Sequence, residues 1–150
     1  MKRKLFLALF LFFVLLFGLS LIGCLSSLSD LVGVWEGSYF AYQGETGLTL
    51  TVWKENKNYK ATFYFYNLPE KTNTTLLPVG VDGSYYMNVT INRSTGKYNL
   101  VGYEWISMPN VPGTFSEFVD LEGTINGNVF SGNAMHISGD SGYTFRVVKK

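Results

Sequence analysis

Leu48-Thr49-Leu50-Thr51-Val52-Trp53-Lys54-Glu55-Asn56-Lys57-Asn58-Tyr59-Lys60-Ala61-Thr62-Phe63-Tyr64-Phe65-Tyr66 is the stretch whose reading decides the fold. In its first half Leu48, Leu50 and Val52 alternate with Thr49, Thr51 and Trp53. In its second half Ala61, Phe63 and Phe65 alternate with Thr62, Tyr64 and Tyr66. A period of two places each set on one face of a strand. Glu55-Asn56-Lys57-Asn58 between them has the length and composition of a hairpin turn. One face of this hairpin is aliphatic and phenylalanine-rich; the other is Thr, Tyr and Trp.

The same rhythm extends along the chain. Runs rich in Tyr, Phe, Val, Thr and Trp, separated by Gly, Asn, Asp and Pro, predict eight strands: Val34–Tyr42, Leu48–Lys54, Tyr59–Tyr66, Ser84–Ile91, Lys97–Trp105, Glu117–Ile125, Val129–Ile137 and Thr144–Val148. No stretch after residue 31 sustains a helical spacing of apolar residues. Arg93-Ser94-Thr95-Gly96 and Asn126-Gly127-Asn128 are further hairpin-length links. The connections 67–83 and 106–116 are longer, and each holds two prolines, which mark them as loops. Every link can join neighbouring antiparallel strands. Eight strands left flat expose two edges, and closure removes them. The expected fold is therefore all-β, an eight-stranded antiparallel up-and-down barrel, with a two-sheet β-sandwich as the alternative.

The N-terminus has a different character. Lys2, Arg3 and Lys4 precede 19 uncharged residues, Leu5 to Gly23, which end at the only cysteine, Cys24. Leu21-Ile22-Gly23-Cys24 resembles the lipobox of a bacterial lipoprotein signal peptide. The resemblance implies a diacylglycerol on the Cys24 thiol and cleavage before it. The alternative is an uncleaved membrane anchor, because about 20 apolar residues span a bilayer. Both readings leave the cationic start in the cytoplasm and the body outside. The expected organisation is a signal peptide or anchor helix over 1–23, a polar linker over 24–31 and the barrel over 32–150. The expected location is the extracytoplasmic face of the cell membrane, lipid-anchored, or single-pass in the alternative. Without Lys2, Arg3 and Lys4, nine cations face eleven acids, a net charge of −2. A mildly acidic domain with no basic cluster lacks the footprint of a nucleic-acid binder. With no cysteine besides Cys24, an internal disulfide or thiolate metal site is excluded.

Gly33-Val34-Trp35 on the first strand and Arg146 on the last resemble the calycin superfamily of lipocalins, fatty-acid-binding proteins and avidins. In lipocalins a Gly-x-Trp packs beneath a basic residue of the final strand and closes the barrel floor. The resemblance implies that Gly33, Trp35 and Arg146 are structural, with Arg146 stacked on Trp35. Gln43-Gly44-Glu45-Thr46-Gly47-Leu48-Thr49-Leu50, Glu104-Trp105-Ile106 with Pro109, and Asp120-Leu121-Glu122-Gly123 also resemble a recurrent uncharacterised bacterial β-domain. That likeness implies no activity.

Few residues point to chemistry. His136 is the only histidine, and neither a second His nor a Gly-x-Ser-x-Gly accompanies it, so it reads as a half-exposed strand residue with a satisfied hydrogen bond. Asp120 and Glu122 share one strand face, which reads as a solvent-facing pair on the outer wall. In the alternative they, or Glu104, serve as acid and base on a sugar, or as oxygen ligands for calcium. The chain holds 10 Tyr, 3 Trp and 12 Phe, five of the Phe within 1–23. Tyr39, Trp53, Tyr64, Tyr66, Tyr86, Tyr103 and Trp105 are assigned to the face opposite the aliphatic core. Such a face suits sugars or a protein partner, or simply supplies cross-strand pairs. Asn73-Thr74-Thr75, Asn88-Val89-Thr90 and Asn92-Arg93-Ser94 fit the glycosylation pattern. The expected function is a non-enzymatic, membrane-tethered binding module for a small apolar ligand, a glycan or an envelope protein, without metal or cofactor. The alternative is a carboxylate-based hydrolase of envelope glycans.

Overall fold

A computed structural model describes residues 27–111, 117–136 and 142–150. The expected signal or anchor over 1–23, with the lipobox-like residues and Cys24, lies outside the described residues. Among the described residues no helix is long and apolar enough to cross a membrane.

Eight antiparallel strands form a closed barrel in chain order: β1 (Gly33–Ala41), β2 (Gly44–Glu55), β3 (Asn58–Thr72), β4 (Asp82–Asn92), β5 (Lys97–Ser107), β6 (Val119–Asn126), β7 (Val129–His136) and β8 (Tyr143–Lys149). Closure runs from Trp35 opposite Lys149 to Tyr39 opposite Phe145. The meander read from the sequence is the topology found, and the architecture is compatible with a calycin-like barrel. The deciding hairpin pairs Leu50 with Phe63 and Val52 with Ala61, all four inside; Trp53 pairs with Lys60 outside.

Two strand limits differ from expectation by more than two residues. β2 begins at Gly44, after the two-residue turn Tyr42-Gln43. β3 runs through Pro69 to Thr72, where a loop was expected. Its pairing with β4 ends at Tyr66 opposite Asp82, so residues 67–72 have no neighbour on that side. A bulge against β2 separates the Asn67–Thr46 and Thr72–Gly44 pairs. Proline is tolerated there because no ladder partner requires its missing N–H.

The barrel has a floor, where β1 starts, and a mouth at the opposite end. A short helix, α1 (Leu28–Leu31), closes the floor. Ser27 and Asp30 form a reciprocal capping box at its start, satisfying two of its free backbone donors. Leu31 is fully buried, its carbonyl accepts from Trp35 Nε1 at 2.8 Å, and Tyr98 OH donates to the Ser27 carbonyl at 2.8 Å. The stretch expected to be a polar linker thus supplies, from Ser27 onward, the floor plug. Above it Trp35, Tyr98, Phe145 and Phe130 meet edge to face, with Phe130 central at 4.7–6.0 Å.

Trp35 carries a cation, but from a different residue than expected. Lys149 Nζ sits 5.1 Å from the Trp35 ring centroid and donates to the Asp30 carbonyl at 2.9 Å. Arg146 is exposed, paired across the ladder with Ser38 and Ser131. Strand parity is the reason: Phe145 and Val147 face inward, so Lys149 shares their side and Arg146 the other. Gly33 has φ +133°, and a Cβ there would press to 3.0 Å from Lys149 Cε. Glycine at that position leaves room for the lysine to lie over the indole.

Candidate functional site

The barrel interior is occupied by large side chains of the chain itself. Tyr39, Phe63, Phe65 and Tyr85 continue the aromatic stack upward, Phe63 and Tyr85 lying parallel at 4.8 Å, all at most 2% exposed. Tyr39 and Trp105 are corrections to the sequence reading, because both turn inward. Tyr39 lies two residues from Gly37 and four from Trp35, so it shares the face of the floor tryptophan. Trp105 is turned in by a bulge. Met87 pairs with Gly102 but Tyr86 with Glu104, leaving Tyr103 extra and reversing the parity through Trp105, until a second shift leaves Ile106 extra. Trp105 therefore packs on Tyr85, Phe65 and Phe118 at 5.2–6.3 Å.

That bulge faces a split seam. β5 and β6 pair only from Tyr98–Gly123 to Leu100–Leu121. Beyond, side chains replace the ladder. Tyr85 OH donates to the Val119 carbonyl at 2.9 Å and accepts from its N–H at 3.1 Å, while Asp120 Oδ1 accepts from Gly102 N at 2.9 Å. Burial raises the Asp120 carboxyl above its ordinary value, and the Gly102 bond partly opposes this. Burial also raises the Tyr85 phenol well above its ordinary range, so it remains protonated and able to donate. Glu122 lies on the same outer wall, ion-paired with Lys97 at 3.0 Å, and Glu104 is exposed opposite Tyr86. The acids are spread over the outer wall, and Asp120 and Glu122 are engaged by Gly102 and Lys97. Among the described residues no three metal-ligating side chains gather.

The remaining five aromatic candidates, Trp53, Tyr64, Tyr66, Tyr86 and Tyr103, share the outer wall of β2–β5. Trp53 meets Tyr86 edge-on at 6.3 Å, and Tyr86 lies near-parallel to Tyr103 at 6.1 Å. Tyr103 keeps the outward side that alternation from Leu100 gives it, and the bulge leaves it beside Tyr86. Lys60 Nζ stands 4.5 Å above the Tyr103 ring and donates to Asn88 Oδ1 at 2.7 Å. Toward the mouth Tyr64 and Tyr66 are tilted together at 5.7 Å. Tyr64 OH donates to Asp82 Oδ2 at 2.7 Å, and this bond to a carboxylate raises the phenol above its ordinary value. Tyr66 lies flat over Gly47, where a Cβ would come within 2.3 Å of its ring. The patch therefore alternates ring faces with an ammonium, an amide and a carboxylate.

Comparison with family profiles, curated proteins and solved structures finds no match to this chain. Its chemistry must be read from the site alone.

Sequence reasoning missed the polar layer at the mouth. Tyr39, Thr46 and Asn67 are cross-strand neighbours facing inward. Gln43, 1% exposed, donates from Nε2 to Tyr39 OH at 3.0 Å; Asn67 Nδ2 donates to the Leu77 carbonyl at 2.5 Å. Gln43 Oε1, Asn67 Oδ1 and His136 Nε2 are buried without a hydrogen-bond partner among the described residues. His136 is half-buried between the rings of Tyr42 and Tyr143, at 6.1 and 5.8 Å, and this open nitrogen corrects the expectation of a satisfied histidine. Thr46 and Asn67 were hidden because neither residue type signals an interior position. Lys60, Asn88 and Asp82 were legible as same-face neighbours of the tyrosines once register was known.

Proposed function

We propose that the protein is a non-enzymatic, membrane-tethered extracytoplasmic module that binds glycan chains on the outer wall of β2–β5. The observation that carries this reading is the gathering of Trp53, Tyr64, Tyr66, Tyr86 and Tyr103 on one face, interleaved with Lys60, Asn88 and Asp82. Tyr and Trp offer flat apolar area with a polar tip, which suits the C–H faces of a pyranose. The ammonium, amide and carboxylate offer the donors and acceptors that sugar hydroxyls require. The interior is a poorer site for a small apolar ligand, since its own aromatic side chains occupy it. Spread carboxylates favour binding over hydrolysis, which needs two acids facing one bond across a defined gap. The lipobox at Leu21-Ile22-Gly23-Cys24, with the cationic start before it, supports an envelope location.

Titration of the full chain with N-acetylglucosamine tetramer tests the reading. The expected result is a saturable change in tryptophan fluorescence that Trp53→Ala abolishes, with Tyr86→Ala weakening binding at least tenfold. Binding unchanged in both variants, or no binding to any of a panel of envelope oligosaccharides, contradicts it.

A further inference from the structure

We infer that the barrel stands floor-down on an anionic bilayer, its mouth turned away. This rests on the extracytoplasmic tether proposed above, and it adds an orientation and a membrane-facing surface that the tether alone does not specify. Two independent observations carry it.

The first is the number of residues between Cys24 and the floor. Ser27 is pinned to the floor by Tyr98, Leu31 is buried beneath Trp35, and Asp30 is held by Lys149. Only residues 25 and 26 separate Cys24 from Ser27, so the Cys24 backbone lies at most about 11 Å from a fixed point of the floor. An uncleaved anchor ending at Gly23 gives nearly the same limit. A tether this short cannot let the mouth end approach the bilayer while the floor plug remains docked.

The second is the distribution of charge. At the floor connections and chain ends, Lys54, Lys57, Arg93, Lys97, Lys149 and Lys150 stand against Asp30, Glu36, Glu55 and Glu122. Lys97 and Lys150 are paired with Glu122 and Glu36, whereas Lys54, Lys57 and Arg93 are exposed and make no ion pair among the described residues. At the mouth Glu45, Glu70, Asp82, Glu117 and Asp120 stand against a single cation, Lys71. The domain is acidic overall, yet its cations collect at the end from which the tether leaves. A negatively charged surface attracts such an end and repels the other, over a range of about one Debye length, roughly 8–10 Å. The tether holds the floor within that range.

The test uses the full chain purified from membranes and reconstituted into vesicles of phosphatidylglycerol and phosphatidylcholine containing a headgroup-quenching lipid. Fluorophores are placed on Asn126→Cys at a floor turn or on Thr74→Cys at the mouth, both exposed. The strands between the two ends place the mouth roughly 20 Å farther from the bilayer. Quenching at the Asn126 position is expected to exceed that at Thr74 several-fold. Equal quenching, or stronger quenching at Thr74, overturns the orientation. The combined Lys54→Glu, Lys57→Glu and Arg93→Glu variant alters only exposed turn and strand-end residues, and its fold is checked by circular dichroism. It is expected to reduce the floor-to-mouth ratio in anionic vesicles and to leave it unchanged in pure phosphatidylcholine. A ratio unaffected in anionic vesicles overturns the role of charge; should the variant fail to fold, the same reduction is sought with the unsubstituted floor by raising salt. Labelling without an introduced cysteine separates the two layers of the argument. A free Cys24 thiol takes up dye and refutes lipidation, while the orientation is still read from the difference between the two positions.

Discussion

The two ends of the barrel are built on opposite principles. At the floor, hairpins are short, a capped helix plugs the opening, and the groups that meet there bond one another: Trp35 to Leu31, Tyr98 to Ser27, Lys149 to Asp30. At the mouth, connections other than the two-residue turn Tyr42-Gln43 are longer, and Gln43, Asn67 and His136 each bury a polar atom without a partner among the described residues. A buried unpaired group forfeits about 1–3 kcal/mol. The contrast teaches that mutually satisfied contacts are concentrated at the floor, while the mouth tolerates imperfect pairing. The split β5–β6 seam is intermediate, its missing ladder replaced by Tyr85 and Asp120.

Substitutions can break this contrast, the largest effect first. Trp35→Ala removes the centre of the floor and is expected to cost about 3–5 kcal/mol in denaturant unfolding. A loss below about 1 kcal/mol would mean that the floor is not the stabilising end. Asn67→Ala deletes the bond to the Leu77 carbonyl but also an amide oxygen that had no partner. These oppose each other, and the net cost is expected to be about 1 kcal/mol or less. A cost rivalling that of Trp35→Ala would erase the distinction between the ends. Asp120→Asn gives the smallest effect, and it depends on pH. Burial raises the folded carboxyl above its unfolded value, so the native state binds the proton more tightly. Its contribution to stability is present at low pH and lost as pH rises through the folded value. The asparagine can keep an acceptor for Gly102 without the charge. Its melting temperature should therefore equal or slightly exceed that of the unsubstituted protein at pH 7, with this advantage disappearing near pH 4. An advantage that grew on acidification would contradict the sign.

Most of the architecture was legible because it follows from local patterns. Alternation in Leu48–Val52 and Ala61–Phe65 specifies which residues face inward, and Asn126-Gly127 specifies where the chain reverses. What escaped depends on events that alternation cannot register. One extra residue at Tyr103 reverses the side of Trp105, which turns it from the wall to the core. Arg146 was expected as the floor cation, but the parity set by inward Phe145 and Val147 gives that place to Lys149. The docking of Ser27–Leu31 was hidden because a four-residue helix has no period to detect. Of the candidate site, the tyrosines were legible as a face, but their assembly into one patch required the register of four strands.

The central claim is a barrel tethered immediately beneath its plugged floor, and the intact mass of the protein isolated from its native membrane tests it most directly. The account expects a chain beginning at Cys24 and carrying the mass of attached lipid. A chain that retains residues 1–23 with a free Cys24 thiol would contradict the lipid tether, and a chain that lacks both residues 1–23 and attached lipid would contradict the tether altogether.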